Sequence, residues 1–94
     1  EMSGGNGEKI AVTVKYLVSL ADKTGRRSDT VELERGSVLS DLTEWLARER
    51  DLTVPDRRIM TVLNGKGWAQ YPDKLETELA DGDTVLLFPP ISGG

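Results

Sequence analysis

Large apolar residues alternate with small or polar ones early in the chain. Ile10, Val12 and Val14 are separated by Ala11, Thr13 and Lys15, and the run continues through Tyr16, Leu17 and Val18. This β-branched, period-2 pattern predicts a strand from about Lys9. Ser19 to Asp29 reads as a polar connection holding Gly25 and two arginines. Alternation resumes from Thr30 to Glu34, with Val31 and Leu33 inward and Glu32 and Glu34 outward. The two strands are expected to form an antiparallel pair joined by one long loop. Before them, Glu1 to Glu8 carry three glycines, Ser3 and Asn6 without periodicity, which predicts a flexible arm.

The period then changes. Beyond Gly36-Ser37, Val38, Leu39, Leu42, Trp45 and Leu46 recur at three- and four-residue spacing and predict a helix over about Val38 to Arg50. Ser37 is its expected N-cap, because a serine hydroxyl can accept from an unpaired first-turn amide. Asp41 lies early and Arg48 and Arg50 late, each where the helix dipole favours its charge. Glu44 and Arg48 are placed for an i,i+4 pair. Trp45 is expected in the core.

Ile59 to Leu63 predicts a third strand, stopped by the turn dipeptide Asn64-Gly65. Trp68 to Tyr71 is expected to return as a short strand. Asp81-Gly82-Asp83 makes another turn before a last strand, Thr84 to Phe88, which Pro89-Pro90 ends because proline cannot donate to a ladder. The order is β-β-α-β-(β)-β. One amphipathic helix must bury its stripe on one face of a mixed sheet, an α+β architecture best met by a β-grasp, or ubiquitin-like, roll. The expected organisation is an arm over 1–8, a β-grasp domain over 9–88 and an extended tail over 89–94.

Composition narrows the chemistry. Ninety-four residues support one modest core and no deep catalytic cavity. There is no cysteine and no histidine, so thiolate chemistry, iron–sulfur clusters, cysteine-type zinc sites, the commonest metal ligand and the usual neutral-pH base are all missing. No metal site and no bound cofactor are expected. The net charge of -4 argues against a nucleic-acid module and favours basic partner clefts. No stretch is apolar enough for a membrane span, and no signal peptide is visible, so a cytoplasmic location is expected.

What remains is the tail, Phe88-Pro89-Pro90-Ile91-Ser92-Gly93-Gly94. Two prolines favour an extended, stiff stalk with little entropy left to lose on docking. Beyond them the side chains shrink to glycine, and a backbone without Cβ atoms enters channels closed to other residues. A free α-carboxylate, with an ordinary pKa of about 3.5, is ionised at neutral pH and a poor acyl donor. It needs a better leaving group, and adenylation by ATP on a partner enzyme is the obvious route. The pattern points to a substrate-like protein that carries no catalytic side chain of its own.

The run Leu79-Ala80-Asp81-Gly82-Asp83-Thr84-Val85-Leu86-Leu87-Phe88-Pro89-Pro90-Ile91-Ser92-Gly93-Gly94 resembles the end of the MoaD family, the small subunit of molybdopterin synthase, within the MoaD/ThiS group of ubiquitin-like sulfur carriers. The likeness is dense over those sixteen residues and looser over the rest from Lys9. It implies a sulfur carrier whose Gly94 carboxylate is adenylated by a MoeB- or ThiF-like enzyme and converted to a thiocarboxylate. A MoaE-like large subunit would then receive the tail and use its sulfur in molybdopterin synthesis. On this resemblance Ile91, Ser92 and Gly93 thread the partner channel, and Phe88, Pro89 and Pro90 form a docking shoulder. Phe88 has a competing reading as strand-end core. Sulfur delivery to thiamine, cysteine or tRNA synthesis, a ubiquitin-like modifier and a plain β-grasp interaction module stay open as alternatives. The glycine-rich arm and the stretch from Asn64 to Leu79 depart from the compact family pattern.

Other features have simpler explanations. Arg26-Arg27 and Arg57-Arg58 read as solvated loop charges. Asp81 and Asp83 read as turn residues rather than metal ligands. Trp68 and Tyr71 either cap the core or form an aromatic partner patch. Gly65 and Gly67 flank Lys66 without the helix that a phosphate loop needs.

Overall fold

The computed structural model describes residues 8–90. The chain runs β1 (Lys9–Tyr16), α1 (Ser19–Thr24), β2 (Ser28–Glu34), α2 (Leu39–Arg50), β3 (Met60–Leu63), β4 (Lys66–Gly67) and β5 (Thr84–Phe88), with 3-10 turns at Trp68–Gln70 and Lys74–Glu76 before β5. The five strands form one sheet in the order β2-β1-β5-β3-β4. β1 and β5 are parallel, while β1–β2, β3–β5 and β3–β4 are antiparallel. This is the expected mixed-sheet β-grasp roll.

The inner face of the sheet follows from alternation. Ile10, Val12, Val14 and Tyr16 of β1 point inward and are buried, together with Val31 of β2, Leu63 of β3, and Val85 and Leu87 of β5. Leu39, Leu42 and Leu46 of α2 are fully buried with them. Each such side chain contributes about 1.5–3 kcal/mol of burial, which is why this stripe anchors the helix. Trp45 is only half-buried against the core, and the Arg50 guanidinium lies 4.9 Å from its ring centroid.

Ser37 does not cap α2. The N-cap is Val38, whose N–H donates to the Asp41 carboxylate at 2.8 Å. The next amide, Leu39 N–H, is taken by the Thr77 carbonyl at 3.0 Å, while the Ser37 carbonyl accepts from Leu79 N–H at 2.8 Å. A distant segment thus supplies the acceptor that the serine hydroxyl was expected to provide. Arg48 pairs with adjacent Glu49 at 3.3 Å in place of Glu44. At the N-terminal edge of the described residues, Glu8 accepts from Arg35 N–H at 3.1 Å and pairs with its guanidinium.

Two expected loops and strands differ. β1 stops at Tyr16, and Ser19–Thr24 is a short helix closed by Gly25 at φ 77. Its one buried anchor is Leu20, too little apolar signal to show helical periodicity. Trp68–Gln70 is a 3-10 turn, and the returning strand is the two-residue β4 directly after Asn64-Gly65. Trp68 leaves the strand path to enter the core, 4% exposed, and Tyr71 packs beside that core with its hydroxyl donating to the Leu63 carbonyl at 2.6 Å. The core-capping reading of these two aromatics therefore holds.

Candidate functional site: the strand that launches the tail

β5 lies between β1 and β3, so the tail leaves from the middle of the sheet. Its start is locked by polar contacts. Asp81 Oδ1 accepts from Ala11 N–H at 2.8 Å, and Gly82 N–H, at φ 89, donates to the Ala11 carbonyl at 2.8 Å. Asp83 accepts from Ala80 N–H at 2.8 Å and from the Asn64 side-chain amide at 2.9 Å. Asn64 also takes Thr84 N–H at 3.0 Å and gives its own N–H to the Thr84 carbonyl at 2.9 Å. Both carboxylates are therefore occupied in turn chemistry. Among the described residues, no group of three or more His, Cys, Asp or Glu side chains is placed to hold a metal.

The far end of β5 is different. Val85 and Leu87 point into the core, so Leu86 and Phe88 project from the opposite face. Phe88 pairs with Met60 and Leu86 with Val62 across the antiparallel β3–β5 ladder. Phe88 is half-buried, a middle state between the core and docking readings, and it is followed by half-buried Pro89 and exposed Pro90. On the parallel side Tyr16 pairs with Leu87, and Leu17 N–H donates to the Leu87 carbonyl at 2.9 Å. The exposed large apolar residues among those described are Leu17 at 38%, Val18 at 76% and Met60 at 45%. Leu17, just past the end of β1, and Met60, the first residue of β3, stand either side of the point where β5 ends, and Val18 follows Leu17.

Val18 has φ 57 and ψ −129, a region natural to glycine and costing a non-glycine residue about 1–3 kcal/mol. Leu17, Val18 and Met60 were not among the expected site residues. One signal pointed to the first two: Tyr16-Leu17-Val18 is a continuous apolar run, and alternation cannot bury adjacent residues on one face. Of the expected site, Phe88, Pro89 and Pro90 lie together at this exit. Ile91, Ser92, Gly93 and Gly94 lie outside the described residues.

A second polar cluster ties α2 to the sheet. Asp29 accepts from Arg50 Nε and Nη2, each at 2.8 Å, from Tyr16 Oη at 2.6 Å and from Arg26 Nη1 at 2.9 Å. The Arg50 hydrogen bonds, chiefly, hold the Asp29 carboxyl down at about 2. Burial, then Asp29, pushes the Tyr16 hydroxyl above its ordinary value. Arg26 is thus tied to Asp29 while staying exposed. With every partner internal, the cluster is structural.

The C-terminal eighty-one residues, 14–94, match the ThiS family. The chain belongs to the ThiS family. Proteins of this type are small, generally non-catalytic sulfur carriers with a ubiquitin-like fold. Among solved structures, the fold resembles the HVO 2177 protein of Haloferax volcanii, with a TM-score of 0.75 at 20% identity over 100% of this chain and 94% of that one. A Pyrococcus furiosus protein assigned as subunit 1 of a molybdopterin converting factor has a TM-score of 0.71 at 25% identity, over 87% of this chain and 99% of that one. The BexX/CysO complex of Amycolatopsis orientalis contains a chain with a TM-score of 0.61 at 29% identity, over 89% of this chain and 100% of that one. Among curated protein sequences none matches the chain. Among the described residues, no helix is long and apolar enough to cross a membrane.

Proposed function

We propose that this ThiS-family chain is the sulfur-donating small subunit, or co-substrate, of a molybdopterin synthase. The observation that carries this reading is the apolar rim at the end of β5, from which the sequence runs through Pro89-Pro90 and Ile91-Ser92 to Gly93-Gly94. A MoeB- or ThiF-like enzyme binds the rim, and the Gly94 carboxylate attacks the α-phosphorus of ATP. Acyl adenylate forms and pyrophosphate leaves. A sulfide equivalent then displaces AMP and leaves a thiocarboxylate. The enzyme supplies ATP, metal and base, and this chain supplies the acyl group and the fit. Ile91, Ser92 and Gly93 thread the partner channel, while Phe88, Pro89 and Pro90, flanked by Leu17 and Met60, form the shoulder that stops it. A MoaE-like large subunit takes the same tail for transfer to the pterin precursor.

The dense Phe-Pro-Pro and diglycine pattern and the likeness to the Pyrococcus protein support the molybdopterin route. The 29% identity to a chain in the BexX/CysO complex supports a second reading, delivery to another acceptor through the same thiocarboxylate. The test is intact mass after incubation with a MoeB- or ThiF-like enzyme, ATP and a sulfur donor. Oxygen-to-sulfur exchange at Gly94, followed by sulfur transfer with a MoaE-like subunit and a pterin precursor, is expected. Exchange without that transfer moves the assignment to the second reading. Covalent ladders on other proteins identify a modifier instead, and no ATP-dependent change overturns the carrier.

A further inference from the structure

Resting on that reading, we infer that Val18 is a specificity-determining contact, a valine held out beside the root of the tail to fit an apolar hollow in the adenylating enzyme. Two ordinary reasons for a valine fail here. Its backbone, at φ 57, is one that β-branched residues avoid and glycine adopts freely. The residue is 76% exposed and outside the core cluster, so no core contact offsets that strain. Glycine would serve the fold better at this position.

The turn that carries it is rigid. The Leu17 carbonyl accepts from Leu20 N–H at 3.2 Å and the Val18 carbonyl from Ala21 N–H at 3.1 Å, while Leu17 N–H is tied to Leu87. Buried Leu20 anchors the far side. Val18 is thus presented in one orientation, which lowers the entropy lost on docking. Chain length supplies the occupant. From Pro90 to the reacting Gly94 is four residues, a reach of about 14 Å when fully extended. An enzyme enclosing that carboxylate must bring its surface against the end of β5, where Leu17, Val18 and Met60 stand exposed.

The experiment measures the KM of the carrier in ATP–pyrophosphate exchange with the adenylating enzyme, alongside the thermal midpoint of each variant. Val18→Gly suits φ 57 with ψ −129 directly, and Val18→Asn removes the β-branch from that backbone. They are expected to keep or raise Tm and to raise KM about tenfold, the usual cost of losing a small apolar contact. Val18→Ile restores the KM that Val18→Gly loses, despite equal backbone strain. If Val18→Gly keeps the parental KM while the parent is adenylated, Val18 is idle strain and this inference is overturned alone. If the parent is never adenylated, the carrier reading and this inference fail together.

Discussion

The two ends of β5 are made of opposite materials. At its start, Asp81, Asp83 and Asn64 satisfy one another and the neighbouring backbone through directed hydrogen bonds at 2.8–3.0 Å. At its end, Phe88, Leu17 and Met60 present apolar surface, and the chain passes into two prolines. The first end fixes where the strand begins and in what register. The second leaves apolar surface available to a partner. A carrier needs both, because a tail presented to an enzyme must start from a rigid point and dock through surface the fold does not consume.

The largest effect should come from the tail itself. Deleting Gly94, or changing Gly93→Trp, is expected to abolish adenylation in pyrophosphate exchange while circular dichroism and Tm stay parental. Loss of the folded domain in both variants would erase the division between the two ends. Asp83→Ala attacks the polar end. It removes the acceptor of Ala80 N–H and the Asn64 amide, both at exposed positions, and should cost about 0.5–1.5 kcal/mol in urea unfolding, with the KM of the folded fraction unchanged. A raised KM with stability intact would reverse the assignment of roles.

Asp29 touches the tail-bearing end only through the buried side chain of Tyr16, which pairs with Leu87, and serves as a control on stability. Its folded pKa of about 2 is below its unfolded value, so its stabilising effect is present above the unfolded pKa and lost as pH falls through the folded one. Between pH 5 and pH 2 the parent should lose about 2 kcal/mol from this group. Asp29→Asn should flatten that part of the profile without changing the KM at neutral pH; an unchanged acid profile would show that the Arg50 pair contributes nothing. The smallest effect on stability belongs to Met60→Ala, within about 0.5 kcal/mol for a side chain this exposed. Its KM should nonetheless rise severalfold. An unchanged KM would remove Met60 from the rim.

Much of the fold was legible in the sequence. Alternation from Ile10 to Val14 and the Leu39-Leu42-Leu46 spacing are local periodicities, and burial of one face makes them visible. Asn64-Gly65 and Asp81-Gly82-Asp83 were legible for another reason, since their positive φ values at Asn64, Gly65 and Gly82 restrict which residues fit. α1 was hidden because only Leu20 anchors it. The Trp68 turn was hidden because its direction depends on a cavity assembled from other elements. Ser37 lost its capping role because Thr77, forty residues away, reached the helix first.

By itself the sequence determined the β-grasp layering and supplied the tail pattern on which the proposed chemistry rests. Periodicity is a property of neighbours in the chain, and a Pro-Pro-Ile-Ser-Gly-Gly end can be judged without knowing what surrounds it. The tertiary structure decided which groups meet. It brought Asp29 to Arg50 across twenty-one residues, set the first amide of α2 against the Thr77 carbonyl, and placed Leu17 and Met60 on either side of the end of β5. Those meetings depend on strand order and register. The acyl-donor reading proposed for the terminal glycines needs only the sequence, but the apolar surface at the end of β5 exists only once β1, β3 and β5 lie side by side.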